Sequence, residues 1–533
     1  MGIKKNFQKY KGFILNLLVP ALVFGFITGA FTSTVVILYK LCASYVIDFS
    51  EVAYSFLRSH LYLLPAVAVA LLGVSWLLAW IYKGSPNLKG GGIPTSVGVL
   101  RGLITFKWLR NLIGVFFLSL SSFLIGVPLG NEGPSVQMGT AIGRGSVYMF
   151  AKKHRAWDRY SMTGGACAGF SVATGAPISG ILFAIEEAHQ RISPTIVIVA
   201  SSSVMFANIT SKLLCPLVGV SERLFEIPAI PTLDITDYFI PLIVGLVVGM
   251  FSVLFLHYYR FLDFVLDRVF SKIPHFVKIF MVLVLTVAFG LISTSFVSTG
   301  HHLILDLFVN NTSVWLLLGI LAVRMTLTLS ANSTGVTGGT FIPILAIGVL
   351  VSSIIANCLL ALGVDSSLYT VILVLGITAC IAGSMKMPLT AIIFSVEALS
   401  CYDNLLPVII TAFIAYLVTE LFGAKSISDA TIEMREEYEE KGKAVTTVDT
   451  FVTVQRGAFA IGKQIRDIFW PRNLFVLSLQ HISSETEVDE HGGKEIREGD
   501  ILHIRYSTTE NDVTKGELLA IVGEQDINEE CEQ

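Results

Sequence analysis

Charged side chains are scarce in this chain of 533 residues: they make up 14% of it, whereas hydrophobic residues make up 53%. A soluble globular domain carries charge on about a quarter of its residues, and the mean hydropathy here is +0.71. The shortage of charge excludes an ordinary soluble protein. It predicts a multi-pass protein of the cell membrane, with the lipid bilayer as a partner. The formal net charge of -3 gives no reason to expect a nucleic-acid partner.

Clustered metal ligands and redox motifs are missing as well. The seven cysteines occur without Cys-x-x-Cys spacing, and the ten histidines form no His-x-x-x-His pair. Such scattered residues predict neither a disulfide framework nor a zinc site. Because no nucleophile–base constellation is recognisable either, we expect a protein that is not an enzyme and that holds no metal or cofactor.

The chain has instead a series of apolar segments, which starts after a short basic N-terminus, residues 1–11. Residues 13–39 and 61–82 predict the first two membrane helices, since a span needs about 20 apolar residues. The early lysines predict a cytoplasmic N-terminus. Many later apolar runs are too short for a full span, and broken helices survive at membrane depth only when they are buried in protein or line a cavity. This pattern is typical of a transporter or a channel.

One short motif, Gly-Asn-Glu-Gly-Pro at residues 130–134, places a carboxylate at a break between two apolar segments. Ionisable side chains at membrane depth are costly and are functional candidates. The glycines allow close backbone approach, and Pro134 suits the first turn of a helix. We therefore predict a helix that begins near Glu132 and whose free N–H groups attract an anion. The alternative is an ordinary helix start that the glutamate merely caps.

The two halves of the apolar region repeat each other. Two pairs of segments match at nearly the same offset. In the first pair, Pro177, Phe183 and Glu186 have the same spacing as Pro388, Phe394 and Glu397. In the second pair, Pro134 and Gly139 have the same spacing as Pro343 and Gly348. Repeats with broken helices place a substrate site where they meet, near the midplane, with helix N-termini facing an anion.

Three glycine–proline segments, residues 90–94, 130–134 and 338–343, together with this repeat, resemble the CLC family of chloride channels and chloride/proton exchangers over about residues 12–430. The resemblance implies an all-α polytopic membrane protein with two inverted repeats of broken, tilted helices, about residues 12–215 and 236–422. It also implies a homodimer with an anion pore in each subunit. The implied function is CLC-type chloride (anion) transport, as a voltage-gated-type channel or as an H+/Cl- exchanger.

The resemblance also assigns roles to individual residues. Glu132 matches the gating glutamate, whose carboxylate competes with halide for the outer anion site and swings away when it is protonated. Thr340 and Phe341 match the pair whose backbone N–H groups contact the central anion. The full set of anion-binding residues implied by the motifs comprises Gly91, Gly92, Ile93, Asn131, Gly133, Thr340, Phe341 and Ser428.

The sequence departs from the family pattern at several of these positions. Gly91 stands where most members have a serine, Asn131 where they have Arg or Lys, and Ser428 where the central tyrosine is expected. The inner glutamate expected after residues 194–214 is also missing, since Glu222 is displaced. A fluoride-exporting branch departs at the serine and the inner glutamate too, so the alternative function is a fluoride/proton antiporter.

Three more acidic side chains end apolar segments. Glu186 and Glu187 are interpreted either as proton-path residues or as a structural pair at a helix end, and Glu397 has the same two interpretations. Ion preference and proton coupling therefore stay open at this point.

The composition changes after the apolar body. Residues 431–445 are predicted to be a charged linker and residues 446–533 a small cytoplasmic α+β domain, with strands at residues 451–459, 474–479, 501–506 and 518–522. Its motifs resemble the TrkA C-terminal (RCK-C) domain at residues 462–467, 471–476 and 498–502. That resemblance implies dimerisation and binding of a small ligand such as cyclic di-AMP. The alternatives are a passive dimerisation cap and a potassium-system regulator tethered by an inactive body.

Overall fold

The structure is a computed structural model, and it describes residues 14–151, 155–439, 446–481, 493–508, 511–525 and 530–532. These residues form eighteen α-helices and four strands, as follows: α1 Val19–Ser59, α2 Leu64–Gly84, α3 Ile93–Leu100, α4 Trp108–Ile125, α5 Glu132–Phe150, α6 Asp158–Thr174, α7 Pro177–Phe183, α8 Pro194–Val218, α9 Phe239–Phe264, α10 His275–Ile292, α11 His301–Val309, α12 Val314–Ser333, α13 Phe341–Ala361, α14 Tyr369–Ser384, α15 Pro388–Glu397, α16 Leu405–Leu421, α17 Ile427–Glu439, β1 Thr446–Thr453, β2 Leu474–Gln480, β3 Ile501–Thr508, α18 Asn511–Val522 and β4 Glu530–Glu532.

The helical body crosses a membrane several times. Within the described residues, nine helical segments are long and apolar enough to span a bilayer, whereas α3, α7 and α15 have only 8, 7 and 10 residues. The expected mixture of spanning and broken helices in a multi-pass protein is therefore confirmed. The sequence predicts that the first helix ends at residue 39, but α1 continues to Ser59. No glycine or proline interrupts residues 31–59, so nothing in the sequence ends the helix earlier.

The two halves are joined by a reciprocal pair of helix caps. Glu397, at the end of α15, accepts hydrogen bonds from the N–H groups of Ile178 and Ser179 at the start of α7, at 2.8 and 2.9 Å. Glu186, just after α7, accepts from the N–H groups of Leu389 and Thr390 at the start of α15, at 2.9 and 2.7 Å. Each carboxylate satisfies N–H groups that have no partner within their helix and lies at the positive end of the dipole. These contacts favour the structural interpretation of Glu186 and Glu397.

Glu397→Ala should destabilise the body by about 1–3 kcal/mol, because it leaves two backbone donors at the start of α7 without their charged acceptor. The melting temperature of the purified protein in detergent, followed by size-exclusion chromatography, measures the loss. Glu420→Ala is the matched control, since Glu420 forms an exposed pair with Lys386 and exposed pairs contribute about 0–1 kcal/mol. Equal melting temperatures for the two variants would contradict the capping role.

The C-terminal part of the chain, residues 446–533, is called the tail. Its described residues form a small α+β unit, as we predicted from the sequence. Its antiparallel sheet has the strand order β2-β3-β1-β4, and Leu502, Ile504 and Tyr506 of β3 are buried in its core with Leu518 and Val522 of α18. The strand prediction for residues 518–522 was wrong, because they belong to α18. A short apolar run fits a buried helix turn as well as a strand.

Two predicted boundaries differ from the elements that the structure describes. Strand β1 ends at Thr453, so residues 454–459 of the predicted strand 451–459 are not part of it. Helix α17 continues to Glu439 and so occupies the first part of the predicted linker. The rest of that linker, residues 440–445, lies outside the described residues.

The tail is docked on one face of the helical body. Arg159 donates to the carbonyl oxygen of Trp470 at 2.7 Å, Tyr160 to that of Asp467 at 2.8 Å, and Arg191 to that of Arg466 at 3.2 Å. Side chains of the body therefore hold residues 466–470 of the tail through the backbone. This face of the body carries the beginning of α6 and the loop after α7.

Candidate functional site

The three glycine segments meet inside the body. The N–H group of Gly130 donates to the carbonyl oxygen of Gly339 at 2.6 Å, and the N–H group of Gly339 donates back to Gly130 at 2.7 Å. The first segment joins them, because Gly338 donates to the carbonyl oxygen of Gly90 at 3.4 Å. Segments more than 200 residues apart in sequence thus form one backbone junction, which we call the glycine junction.

Only glycine fits at its centre. A Cβ atom on Gly92 would collide with the carbonyl group of Gly133, and Gly92 has a positive φ of 36°. A Cβ atom on Gly133 would lie 2.6 Å from the Cα atom of Gly339. The starts of α3, α5 and α13, at Ile93, Glu132 and Phe341, can therefore converge closely.

Each of these helix starts has N–H groups without an intrahelical acceptor and carries the positive end of the helix dipole. Their convergence creates a region whose backbone N–H groups attract a small anion. The structure brings together Gly91, Gly92, Ile93, Asn131, Glu132, Gly133, Thr340 and Phe341 at this junction.

Hydrogen bonds around Thr337 fix the loop that leads into the third glycine segment. The Thr337 hydroxyl donates to the carbonyl oxygen of Leu88 at 2.6 Å, and its N–H group donates to the Tyr82 hydroxyl at 3.1 Å. The Ser122 hydroxyl donates to the carbonyl oxygen of Thr337 at 2.8 Å. The loop is thus positioned before any ligand arrives.

Glu132 is buried at the glycine junction with 0% exposure. Neither carboxylate oxygen has a hydrogen-bond partner within the described residues. The N–H groups of Glu132 itself and of Ile342 are near enough to stabilise the carboxylate, and a Cβ atom on Gly130 would lie 2.7 Å from Oε2. The carboxylate therefore points back towards the junction. Burying an unpaired carboxylate is costly, so this group is suited to exchange its place with an anion or to take up a proton.

Aromatic side chains from both halves surround the start of α13. Phe341 is buried and makes edge contacts with Phe170 and Phe394, with ring centroids 5.2 and 5.5 Å apart. Phe183 stacks on Phe170 at 5.5 Å. Phe183 and Phe394 are the matching residues of the repeat, so the repeat supplies the apolar packing beside the junction.

Asn332, at the end of α12, is a polar residue that the sequence reasoning did not single out. Its Nδ2 atom donates to the Tyr259 hydroxyl at 2.8 Å, while its buried Oδ1 atom has no partner among the described residues. A Cβ atom on Gly91 would lie 3.4 Å from that oxygen. The sequence signal was weak: an amide near the end of a helix that also contains an arginine and several hydroxyl side chains.

A second buried carboxylate lies nearer the tail. Glu187 is 1% exposed in a π-helical turn, Ala184–Ala188, that follows α7. Its Oε1 atom has no hydrogen-bond partner in the described part of the chain, and Ser428 and Asp429 of α17 are its neighbours. Arg101 holds the turn, because it donates to the carbonyl oxygen of Glu187 at 2.7 Å and pairs with Asp429 at 2.6 Å. Ser428 thus lies beside this carboxylate.

A cavity of about 440 Å³ is lined by residues on either side of Glu187, though not by Glu187 itself. Glu186 and Asp429 line it, as do Lys386 and Arg191, and Arg191 also contacts the tail. The cavity is therefore on the tail side of the body, and its lining includes Glu186 and Asp429, which flank the second buried carboxylate. Across the described residues, no group of three or more His, Cys, Asp or Glu side chains is arranged to hold a metal ion.

The body consists of membrane-spanning helices, and three helix starts meet in it around a buried carboxylate. This arrangement is that of a polytopic membrane protein suited to binding small anions. The family described as Voltage gated chloride channel matches residues 70–420. The chain belongs to this family, and CLC-type anion transport across the membrane is its function. Known members of the family are transporters and exchangers.

Individual relatives share moderate similarity with the chain. It is 26% identical to the H(+)/Cl(-) exchange transporter ClcA of Klebsiella pneumoniae (strain 342) over 458 residues, 83% of this chain and 94% of that relative. A solved slow cyanobacterial Cl-/H+ antiporter has 26% identity and a TM-score of 0.68, covering 79% of this chain and 98% of its own. A CLC-type fluoride/proton antiporter, at 19% identity, a TM-score of 0.62 and coverage of 76% and 96%, shares the fold.

Proposed function

We propose that this protein exchanges chloride for protons and that Glu132 is both its gate and a proton carrier. The observation that carries the proposal is the buried, unpartnered carboxylate at the glycine junction. A carboxylate and a halide have the same charge and need the same N–H donors, so one excludes the other. The relatives named as H+/Cl- exchangers and antiporters support the same assignment.

The anion is held by neutral donors in this proposal. The backbone N–H groups of Thr340 and Phe341 contact the central anion, and the residues around Gly92 and Gly133 complete the binding region. Helix starts bind an anion without a fixed Lys or Arg, which could hold it too tightly to leave. The asparagine at position 131 keeps such a cation out of the motif.

Protons use a second carboxylate on the tail side. Glu187 is buried, has an unpartnered oxygen and lies beside the cavity lined by Glu186 and Asp429. A carboxylate in this position can take a proton from water in the cavity and pass it towards Glu132. The expected inner glutamate after residues 194–214 is therefore not required.

Liposome flux tests the proposal. Purified protein in vesicles loaded with chloride, fluoride or nitrate should release chloride while the external pH changes in a fixed ratio to it. Chloride release without any pH change would mean a channel. Fluoride release that exceeds chloride release would favour the fluoride/proton antiporter. Gly91 and the missing inner glutamate after residues 194–214 support that alternative, because a fluoride-exporting branch departs from the family pattern at the same two positions.

The assembly and the tail are also proposals. We infer a homodimer with both termini in the cytoplasm. The face of the body that contacts the tail carries Lys107, Arg144, Arg155 and Arg159, and cytoplasmic loops are enriched in such residues.

The proposed division of the chain has three parts. Residues 12–430 form the transport domain, residues 431–445 a charged connection and residues 446–533 a TrkA-C-like domain that binds a small ligand such as cyclic di-AMP.

Gly91→Ser should strengthen chloride binding about twofold to tenfold, because a neutral hydrogen bond contributes roughly 0.5–1.5 kcal/mol. A Cβ atom there would lie 3.1 Å from the Gly338 carbonyl oxygen and 3.6 Å from Thr340 Cγ2, so a small shift accommodates it. Isothermal titration with chloride measures the change. Gly91→Ala is the control that adds the Cβ atom without the hydroxyl. Equal affinities for the two variants would mean that the hydroxyl donates elsewhere, to the Gly338 carbonyl oxygen or to Asn332 Oδ1, which lie 3.1 and 3.4 Å from the Cβ position.

A further inference from the structure

A second, larger cavity lies where the tail meets the helical body. It has a volume of about 770 Å³ and is bounded by α4, α5 and α6 of the body and by α18 of the tail. Ligand sites typically have volumes of about 300–1,000 Å³. Neither the glycine junction nor the route past Glu187 uses this cavity.

Its polar lining has more positive than negative side chains. Arg144 pairs with Asp158 at 3.3 Å, and Arg159 pairs with Glu517 at 3.1 Å. Two further cations of the lining, Lys107 and Arg155, are exposed, and their side chains form no hydrogen bond or ion pair with another described residue. The cavity thus offers two cations whose side chains are not held in an ion pair, although Arg155 lies near enough to Asp158 to interact with it electrostatically.

The cavity lies at the level where a membrane helix begins. Trp108 lines it, starts the spanning helix α4 and packs on Gly145, where a Cβ atom would lie 2.7 Å from the indole ring. Tryptophan is enriched at the membrane–water boundary. From this point an apolar stripe runs along α4 at helical spacing, formed by Leu109, Ile113 and Phe117 with exposures of 50%, 51% and 64%.

We propose that this cavity binds the phosphodiester headgroup of an anionic phospholipid, with the acyl chains lying along the apolar stripe of α4. Lys107 and Arg155 bind the phosphate, and Trp108 lies at the boundary between headgroup and chains. Because α18 forms the tail-side wall, one lipid contacts both the transport body and the tail. A soluble phosphate compound has the same headgroup chemistry but makes no use of the stripe.

Native mass spectrometry of the full-length protein in a neutral detergent tests the site. Titration with phosphatidylglycerol should show one lipid that binds more tightly than the rest, whereas phosphatidylcholine should show none. Lys107→Gln combined with Arg155→Gln should weaken that site about 25-fold, roughly fivefold for each cation. Lys83→Gln combined with Arg110→Gln removes two exposed cations near the start of α4 that do not line the cavity, and should leave the affinity unchanged.

A steric variant tests the cavity without changing its charge. Gly516 of α18 lines the cavity and has nothing within 4 Å of a Cβ position, so Gly516→Leu should fill it and abolish the tight lipid, while Gly516→Ala should not. Unchanged lipid affinity in both Gly516→Leu and the double glutamine variant would overturn the proposal. Competition by glycerol phosphate at the same concentration as the lipid would also overturn it, because the ligand would then be a soluble phosphate.

Discussion

Proton movement should fall to the level of protein-free liposomes in Glu132→Gln, while chloride release continues. The amide has the shape of the carboxyl group, but it cannot carry a proton through a cycle of protonation and release. It also has no charge with which to compete for the N–H groups at the glycine junction. Chloride release should therefore also lose its dependence on pH, measured between about pH 4.5 and 7.5 with a chloride electrode and a pH electrode in the same vessel.

Glu222→Gln is the matched control for this result. It makes the same chemical change at an exposed side chain between the two repeats, and should leave both fluxes as they are. Unchanged anion-driven proton movement in Glu132→Gln would remove this residue from the mechanism. If the unmodified protein moves chloride without protons, the exchange proposal fails separately, because Glu132 could still gate a channel.

The position of Glu132 was accessible from the sequence for a physical reason. A glycine-flanked carboxylate followed by proline, set between apolar segments, has few stable arrangements at membrane depth other than a broken helix buried in protein. The repeat of Pro177–Glu186 in Pro388–Glu397 likewise indicated that two helix starts are equivalent. The roles of these residues in binding anions stay predictions that the flux experiments test.

Other features depend on contacts that no local pattern encodes. Glu186 and Glu187 are adjacent in the sequence, yet the first caps α15 whereas the second is buried with an unpartnered oxygen. The π-helical turn sets the direction of each side chain, and a hydrogen bond from Arg101, which lies more than 80 residues away, holds that turn. The docking of residues 466–470 on Arg159, Tyr160 and Arg191 is equally non-local.

The two buried carboxylates make different demands on the transport cycle. In the proposed cycle Glu132 lies where the anion binds, so its protonation and the passage of the anion are coupled through shared N–H donors. Glu187 lies on the tail side, next to Ser428 and near the cavity that Glu186 and Asp429 line. A change at Glu187 should therefore affect the supply of protons without altering the competition between carboxylate and anion.

Glu187→Gln should accordingly stop proton movement but leave chloride release dependent on pH, since Glu132 still titrates and still closes the junction. This combination distinguishes it from Glu132→Gln, in which both properties are lost. Glu186→Gln is a demanding control, because it alters the neighbouring carboxylate. It should lower the melting temperature by weakening the cap on α15, yet keep the protons coupled. Proton movement that persists in Glu187→Gln, or is lost equally in Glu186→Gln, would mean that protons reach Glu132 by a route that avoids the second buried carboxylate.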